Sequence, residues 1–210
     1  MAEINSVRVA GPINWFQHWS PQPGRESWGG TIALRVSLPA DQVFMKDTNE
    51  TFTTTKNEIF VQVKYHQKDI GSPRLNWILK VLEGGVKSIC IKDGRIVRKT
   101  KKDGTESVFL QTKLNDIQVS DASLGLGTLN TAHLHGRIEK VHGSWVQIMT
   151  KTRNPKTNEW KEHFHTVVIT GQTNQPPEAG KYCLVVGRVV AEGPQKPDMV
   201  YLATDKAFVF

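Results

Sequence analysis

At roughly 150 residues per domain, a chain of 210 residues holds either one large domain or two small ones. Its hydrophobic share of 38% is that of an ordinary folded protein and excludes wholesale disorder. The 27 Lys and Arg exceed the 20 Asp and Glu and leave a formal charge of +7 at pH 7. With a pI near 9.4, this directs the search for partners toward polyanions, nucleic acid foremost. No run comes near the ~18 apolar residues of a membrane span, and the first residues lack the basic patch and apolar block of a signal peptide. A soluble, cytoplasmic protein is expected. Two cysteines are too few for a disulfide scaffold or a four-thiolate zinc site, and the Asn49-Glu50-Thr51 sequon is idle without secretion.

The apolar pattern is mostly of period two, as where Ile32, Leu34, Val36 and Leu38 alternate with Ala33, Arg35 and Ser37, which a strand with one buried face requires. Strands are expected at 4–14, 28–38 and 58–66. A helix follows, with Ser72 as N-cap, Pro73 in the first turn, Leu75, Ile78, Leu79 and Leu82 at helical spacing, and Gly84-Gly85 as the stop; Trp77 on it reads as packing. Further strands are expected at 86–99, 106–119, 131–140, 144–152, 160–170, 182–191 and 199–210. Lys102-Asp103-Gly104-Thr105 and Asn154-Pro155-Lys156-Thr157-Asn158 carry turn signals, and both loops are basic.

Two short segments repeat. Val9-Ala10-Gly11-Pro12-Ile13 resembles Leu134-His135-Gly136-Arg137-Ile138, each a strand with a central glycine where curvature or a bulge is wanted. Cys90 and Cys183 each stand four residues before a Gly-Arg-aliphatic triplet, at Gly94 and Gly187, and their equivalent places argue for small core-facing residues. The repeat divides the chain into a module over 1–120, a linker over 121–128 and a module over 129–210. Five strands per module, with a helix between the third and fourth strands of the first, fit a partly closed barrel of the oligonucleotide-binding (OB) type. The fold class expected is therefore all-β, two tandem OB-fold five-stranded barrels.

At these residues the chain resembles the bacterial and phage single-stranded-DNA-binding proteins. In the first module the strand over 6–13, the 28–38 strand, the segment Glu58 to Tyr65, the helix with Gly84, Gly85 and Val86, the segment Ile91 to Ile96 and the basic Asp103-Gly104 hairpin follow the family's order. In the second, 163–171 looks like the family's third strand and 180–189 like its fourth. Two features depart from the family. Its usual member carries one module and an acidic, glycine-rich tail, whereas this chain carries two and its last ten residues read as a strand. The resemblance implies a divergent, phage-like or accessory member, nucleoid-associated or phage-encoded, that coats single strands in replication, recombination or repair. It also implies that two chains supply the family's four modules as a homodimer.

Single strands are held by a positive groove along the phosphates and by rings on which bases stack. Lys92, Arg95, Arg98, Lys99, Lys101 and Lys102 stand against Asp93 on one hairpin, and Lys151, Arg153, Lys156 and Lys161 against Glu159 on another. Solvated edge hairpins protected by lysines are the alternative reading of both. Trp15, Phe16, Trp19 and Trp28 crowd a polar stretch after the first strand, to stack bases or to pack against the other module or a second chain. Carried over from the family, Phe164 takes the ring-stacking place of the third strand, and Tyr65 in the first module falls near that strand's other aromatic place. Phe60 takes that place if the register slips by one. Trp145 and Trp160 are second-module candidates.

His133 with His135, and His163 with His165, share strand faces, but no carboxylate or cysteine at ligand spacing completes a zinc site, so no metal is expected. The chain has no GxxxxGK[ST], GxSxG or HExxH motif and no acidic cluster for two-metal chemistry, so neither a cofactor nor an enzymatic activity is expected. Single-stranded-DNA binding leads. An assembly component built on OB modules and an RNA-binding protein are the alternatives.

Overall fold

The computed structural model describes residues 3–20, 29–45, 49–54, 57–85, 87–100, 103–104, 106–121, 129–154, 157–191 and 200–210. The expected linker thus lies outside the described residues from 122 to 128, as do Trp28, Lys101, Lys102 and Lys156.

The first strand, β1 (Ile4–Trp19), runs past the expected end at residue 14. A register shift between Ile13 and Trp15 bends it, so that Val7 to Pro12 pair with one neighbour and Ile13 to Trp19 with another. The stretch containing Trp15, Phe16 and Trp19, expected as a loop, is strand, because a bulge lets polar sequence continue a ladder around a bend. β2 (Gly30–Leu38) follows, and then a hairpin of β3 (Asp41–Met45) and β4 (Glu50–Thr54) that the pattern did not signal, a separate two-stranded sheet. β5 (Asn57–Tyr65) returns to the barrel. The helix α1 (Pro73–Glu83) stands where expected: Ser72 Oγ accepts the Leu75 N–H at 3.2 Å, Pro73 opens the first turn and Leu75, Ile78 and Leu82 are buried. Trp77, expected to pack, faces solvent and is 50% exposed.

β6 (Ser88–Thr100) and β7 (Glu106–Lys113) form the basic hairpin. The strand expected at 106–119 is broken by a 3-10 turn at Leu114–Asp116, after which β8 (Ile117–Ser120) pairs with the start of β6. Arg74 on the helix fixes that turn, since its Nη2 donates to the Ile117 carbonyl at 2.7 Å. The second half contributes β9 (Leu129–His142), β10 (Trp145–Arg153), β11 (Trp160–Thr173), β12 (Tyr182–Ala191) and β13 (Val200–Val209).

In the first half the pairings close a ring: β1 with β2, β2 with β5, β5 with β7 in parallel, β7 with β6, and β6 with β1. This five-stranded barrel, with its helix between the third and fourth barrel strands, has the OB arrangement. In the second half the pairings run through the same circuit, β9 to β10, β11, β13 (in parallel), β12 and back to β9. One apolar core cluster extends through both halves, from Val7, Leu34 and Val61 to Leu134, Val146 and Val185.

The two halves share several details of geometry. A Cβ on Gly11 would collide with the Ser37 carbonyl, and one on Gly136 with the Met149 carbonyl, so both glycines allow the same close crossing of two strands. Asn5 clamps β6 by donating to the Ile96 carbonyl at 2.9 Å and accepting the Ile96 N–H at 3.0 Å. Asn130 clamps β12 at Val189 in the same way, at 2.9 Å for both bonds. Both pairs, Asn5 to Asn130 and Gly11 to Gly136, are 125 residues apart. The cysteines fit less well. Gly11 faces Ile89 while Gly136 faces Cys183, because the register shift between Val7 and Val9 places one more residue in β6. Cys183 is therefore buried, and Cys90 is only half-buried.

β1 and β9 pair antiparallel from Ile4 opposite His135 to Ala10 opposite Leu129, centred on Val7 opposite Ala132. Val7 and Ala132 are again 125 residues apart, so equivalent residues meet across a local two-fold axis.

The second half holds two polar pairs, one buried and one part-buried. Thr150 Oγ1 lies 2.9 Å from His165 Nε2, and Thr152 Oγ1 lies 2.8 Å from His163 Nε2. By strand register, Thr150 and His165 take the places of Leu38 and Ile59 in the first half. Burial, and then the charges of His163 and Arg98, push His165 down to about 3 from an ordinary 6.5.

Two outcomes follow for stability. Asn5→Ala and Asn130→Ala should each destabilise the fold by about 1 to 3 kcal/mol in urea unfolding, since each leaves a strand N–H and carbonyl unpartnered; a loss in one half only would contradict the equivalence. Between pH 6.5 and about 3 the unfolded chain takes up a proton at residue 165 and the folded chain does not, so stability falls as pH falls. His165→Ile should remove up to about 1.4 kcal/mol per pH unit from that slope, and an unchanged slope would show that His165 protonates in the folded state.

Candidate nucleic-acid interface

The barrel's geometry dictates which side chains of its first half reach solvent together. Leu34, Val61 and Leu110, at neighbouring register positions, are all fully buried. One residue earlier or later, side chains point outward. Trp15 pairs with Arg35, Arg35 with Phe60, Phe60 lies beside Phe109 across the parallel pair, and Phe109 pairs with Val97. This outward row crosses all five barrel strands. The Trp15 and Phe60 ring centroids are 6.3 Å apart, and Phe60 meets Phe109 edge to face at 6.4 Å. Trp15 is 39% exposed, while Phe109 is only 5% exposed and backs the row. Arg35 Nη1 lies 3.9 Å from the Glu58 carboxylate and leaves its guanidinium largely in solvent.

The next row, two residues along, sets polar Gln17, Gln62, Gln111 and Arg95 around a buried Ala33, with Arg95 Nη2 donating to Gln111 Oε1 at 2.7 Å. A third row holds Trp19, Thr31, Lys64 and Lys113, and Trp19 is 41% exposed. Burial lowers Lys64 from its ordinary value, and the charges of Arg95 and Lys99 lower it further. His163 is lowered in the same sense, by burial and by the charges of Lys161 and Arg95. Arg95 and Lys99 of β6 and Lys64 of β5 form a basic strip, and Arg95 also acts on His163 of β11, beside Lys161, where the two halves adjoin. Rings that offer faces beside cations that repel one another suit a stacked, polyanionic strand.

The structure brings together Trp15, Trp19, Phe60, Arg95 and Lys99 of the expected residues. Tyr65 is not among them. It stands five residues after Phe60, on the opposite face of the strand, and it is a core residue, 2% exposed, with its hydroxyl 2.6 Å from His18 Nε2; burial raises its phenol above the ordinary range. Gly30, at φ +149°, makes room for that hydroxyl, which a Cβ there would strike. Arg98 also lies on the inner side of the hairpin, opposite Val108 and next to His165.

The second-half candidates are dispersed. Trp145 packs with Phe52 on a cluster of Val43, Val168, Val190 and Ala203. Lys151 Nζ pairs with Glu162 at 3.2 Å, and Arg153 and Trp160 sit exposed at the β10–β11 hairpin end. Phe164 is half-buried opposite Met149, in the register place of Glu58 rather than of Phe60. Among the described residues no three His, Cys, Asp or Glu converge, and no helix is long and apolar enough to cross a membrane. Arg35, Phe109 and Lys64 were not singled out by pattern. Phe109 has a strand signal, but its place beside Phe60 depends on the parallel β5–β7 register, which local sequence does not encode.

No family model matches the chain, and no curated protein matches it. Among solved structures, the chain is similar to a Plasmodium falciparum SSB in a complex with single-stranded DNA. The TM-score is 0.36 at 11% identity, over 58% of this chain and 96% of that one.

Proposed function

We propose that this protein binds single-stranded DNA without catalysing a reaction, and coats exposed strands during replication, recombination or repair. The observation that carries the reading is the outward row of Trp15, Arg35, Phe60 and Phe109 across the barrel, flanked by the basic strip from Lys64 to Arg95. The second and third strands of an OB barrel form its usual oligonucleotide face, and here they are β2 and β5, which carry Arg35 and Phe60. Bases stack on the rings while phosphates follow the cations, a mode tolerant of sequence because every base has a π-face. The two halves act as two OB modules, 1–120 and 129–210.

Anisotropy with a labelled 30-nucleotide strand, the matching duplex and an RNA of the same sequence tests the reading. Tightest binding to the DNA strand supports it, and preference for the duplex or absence of binding overturns it. Trp15→Ala and Phe60→Ala should each weaken binding by about 1 to 3 kcal/mol, and a thymine oligonucleotide should quench the tryptophan emission of the unmodified chain but quench that of Trp15→Ala less.

The homodimer expected from the family likeness is tested by light scattering on the complex with DNA. A mass of two chains of 23.6 kDa each supports four modules per assembly, and one chain excludes it.

A further inference from the structure

The local two-fold axis makes two outer faces that can be compared residue by residue. In the first half, the row runs from a buried Ala33 through Gln62 and Gln111 and ends on Arg95. Its counterpart in the second half is Trp145, Val168, Ala203 and Arg188. Arg95 and Arg188 directly follow the matching glycines Gly94 and Gly187, and the residues after them, Ile96 and Val189, are those held by the two asparagine clamps. The two arginines are thus equivalent in backbone and register, and their surroundings differ.

The second-half row is covered by the chain itself. The β3–β4 hairpin of the first half lies over it, with Val43 buried against Val168, Val190 and Ala203 and with Phe52 and Trp145 packed alongside. Asp41, which opens β3, meets Arg188 with both carboxylate oxygens, at 2.5 Å from Nε and 3.1 Å from Nη2. This is the two-point fork by which a guanidinium binds a carboxylate or a phosphate. Arg95 has no such partner: among the described residues no carboxylate pairs with it, Gln111 takes one Nη donor, and its charge acts on Lys64 and His163.

We infer that Arg95 binds a backbone phosphate of the single strand, and that Asp41 fills the equivalent anion position at Arg188, so that the chain offers one strand-binding face and not two. The inference rests on the single-strand reading for the identity of the ligand. The carboxylate at Arg188 shows, within the same molecule, what an arginine in this register holds. Both faces carry the arginine, but the first has glutamines beside it where the second has an apolar surface that seats the hairpin.

Two measurements on the full chain decide the matter. In anisotropy titrations with a 30-nucleotide thymine strand, Arg95→Gln should weaken binding several-fold and reduce the slope of log affinity against log salt by about 0.7, the value for one single-strand phosphate. Arg188→Gln should leave both unchanged in the folded protein. Equal losses for the two variants, or no loss at Arg95, overturn the inference. Because Arg188→Gln removes an internal pair and can loosen the fold, the second measurement uses the unmodified protein: arginine Nε–Hε resonances are followed as inorganic tripolyphosphate is added. The Arg95 signal should shift and that of Arg188 should not, whereas in Asp41→Asn both should shift. Should the oligonucleotide fail to bind while Arg95 responds to tripolyphosphate, the DNA reading falls and the anion site stands. Should the oligonucleotide bind while Arg95 answers neither ligand, the anion site falls and the DNA reading stands.

Discussion

Between Val7 and Ala10 the first strand hydrogen-bonds along both edges, to β6 on one side and to β9 on the other. A strand paired on both edges has no freedom to slide, because a slip of one residue would turn every core side chain outward on both partners. The register centred on Val7 and Ala132 therefore fixes how the two halves sit. It places the Asn5 and Asn130 clamps on either side of the axis and brings the tip of β6 against β11. The basic strip at the seam exists only because this pairing puts Arg95 of one half near Lys161 and His163 of the other.

Closing each circuit imposes a second requirement. β1 and β9 must bend from one neighbour to the next, and the bend brings a carbonyl of the facing strand against the backbone at Gly11 and Gly136, where only glycine leaves room. The bend in β1 also carries Trp15 and Trp19 onto β2 and so starts the outward rows. A local accommodation in the backbone thus decides where the rings of the candidate interface stand.

Two halves that share a core can differ on their outer faces, since side chains there are constrained by partners rather than by closure. The first half has Ala33, Gln62 and Gln111 in the positions where the second has Trp145, Val168 and Ala203 beneath the hairpin. The inner faces diverge as well. The His165 and Thr150 pair replaces two aliphatic residues, and a hydrogen bond between two buried polar groups is tolerated where either group alone would carry a desolvation cost. The lowered His165 makes the second half the side where acid is expected to cost stability.

By itself the sequence determined the features that rest on short-range chemistry. The period-two runs marked most of the barrel strands, Ser72, Pro73 and Gly84 marked the ends of the helix, and Gly11 and Gly136 marked the bends. Charge and aromatic content pointed to a polyanion, and Trp15, Phe60 and Arg95 were picked out by type. Tertiary structure alone decided which of them meet. Tyr65 and Phe60 are five residues apart in one strand and so share no face, which the strand pattern could not anchor to a core without knowing the register. Phe109, Arg35 and Lys64 join the interface through lateral pairing between strands remote in sequence, and β3 and β4 form because the second half offers Arg188 and an apolar face to hold them. Periodicity reports which side of a strand is wet. Ring closure and the two-fold pairing of β1 with β9 determine which wet sides become neighbours, and those are properties of the assembled sheet, absent from any local stretch of the chain.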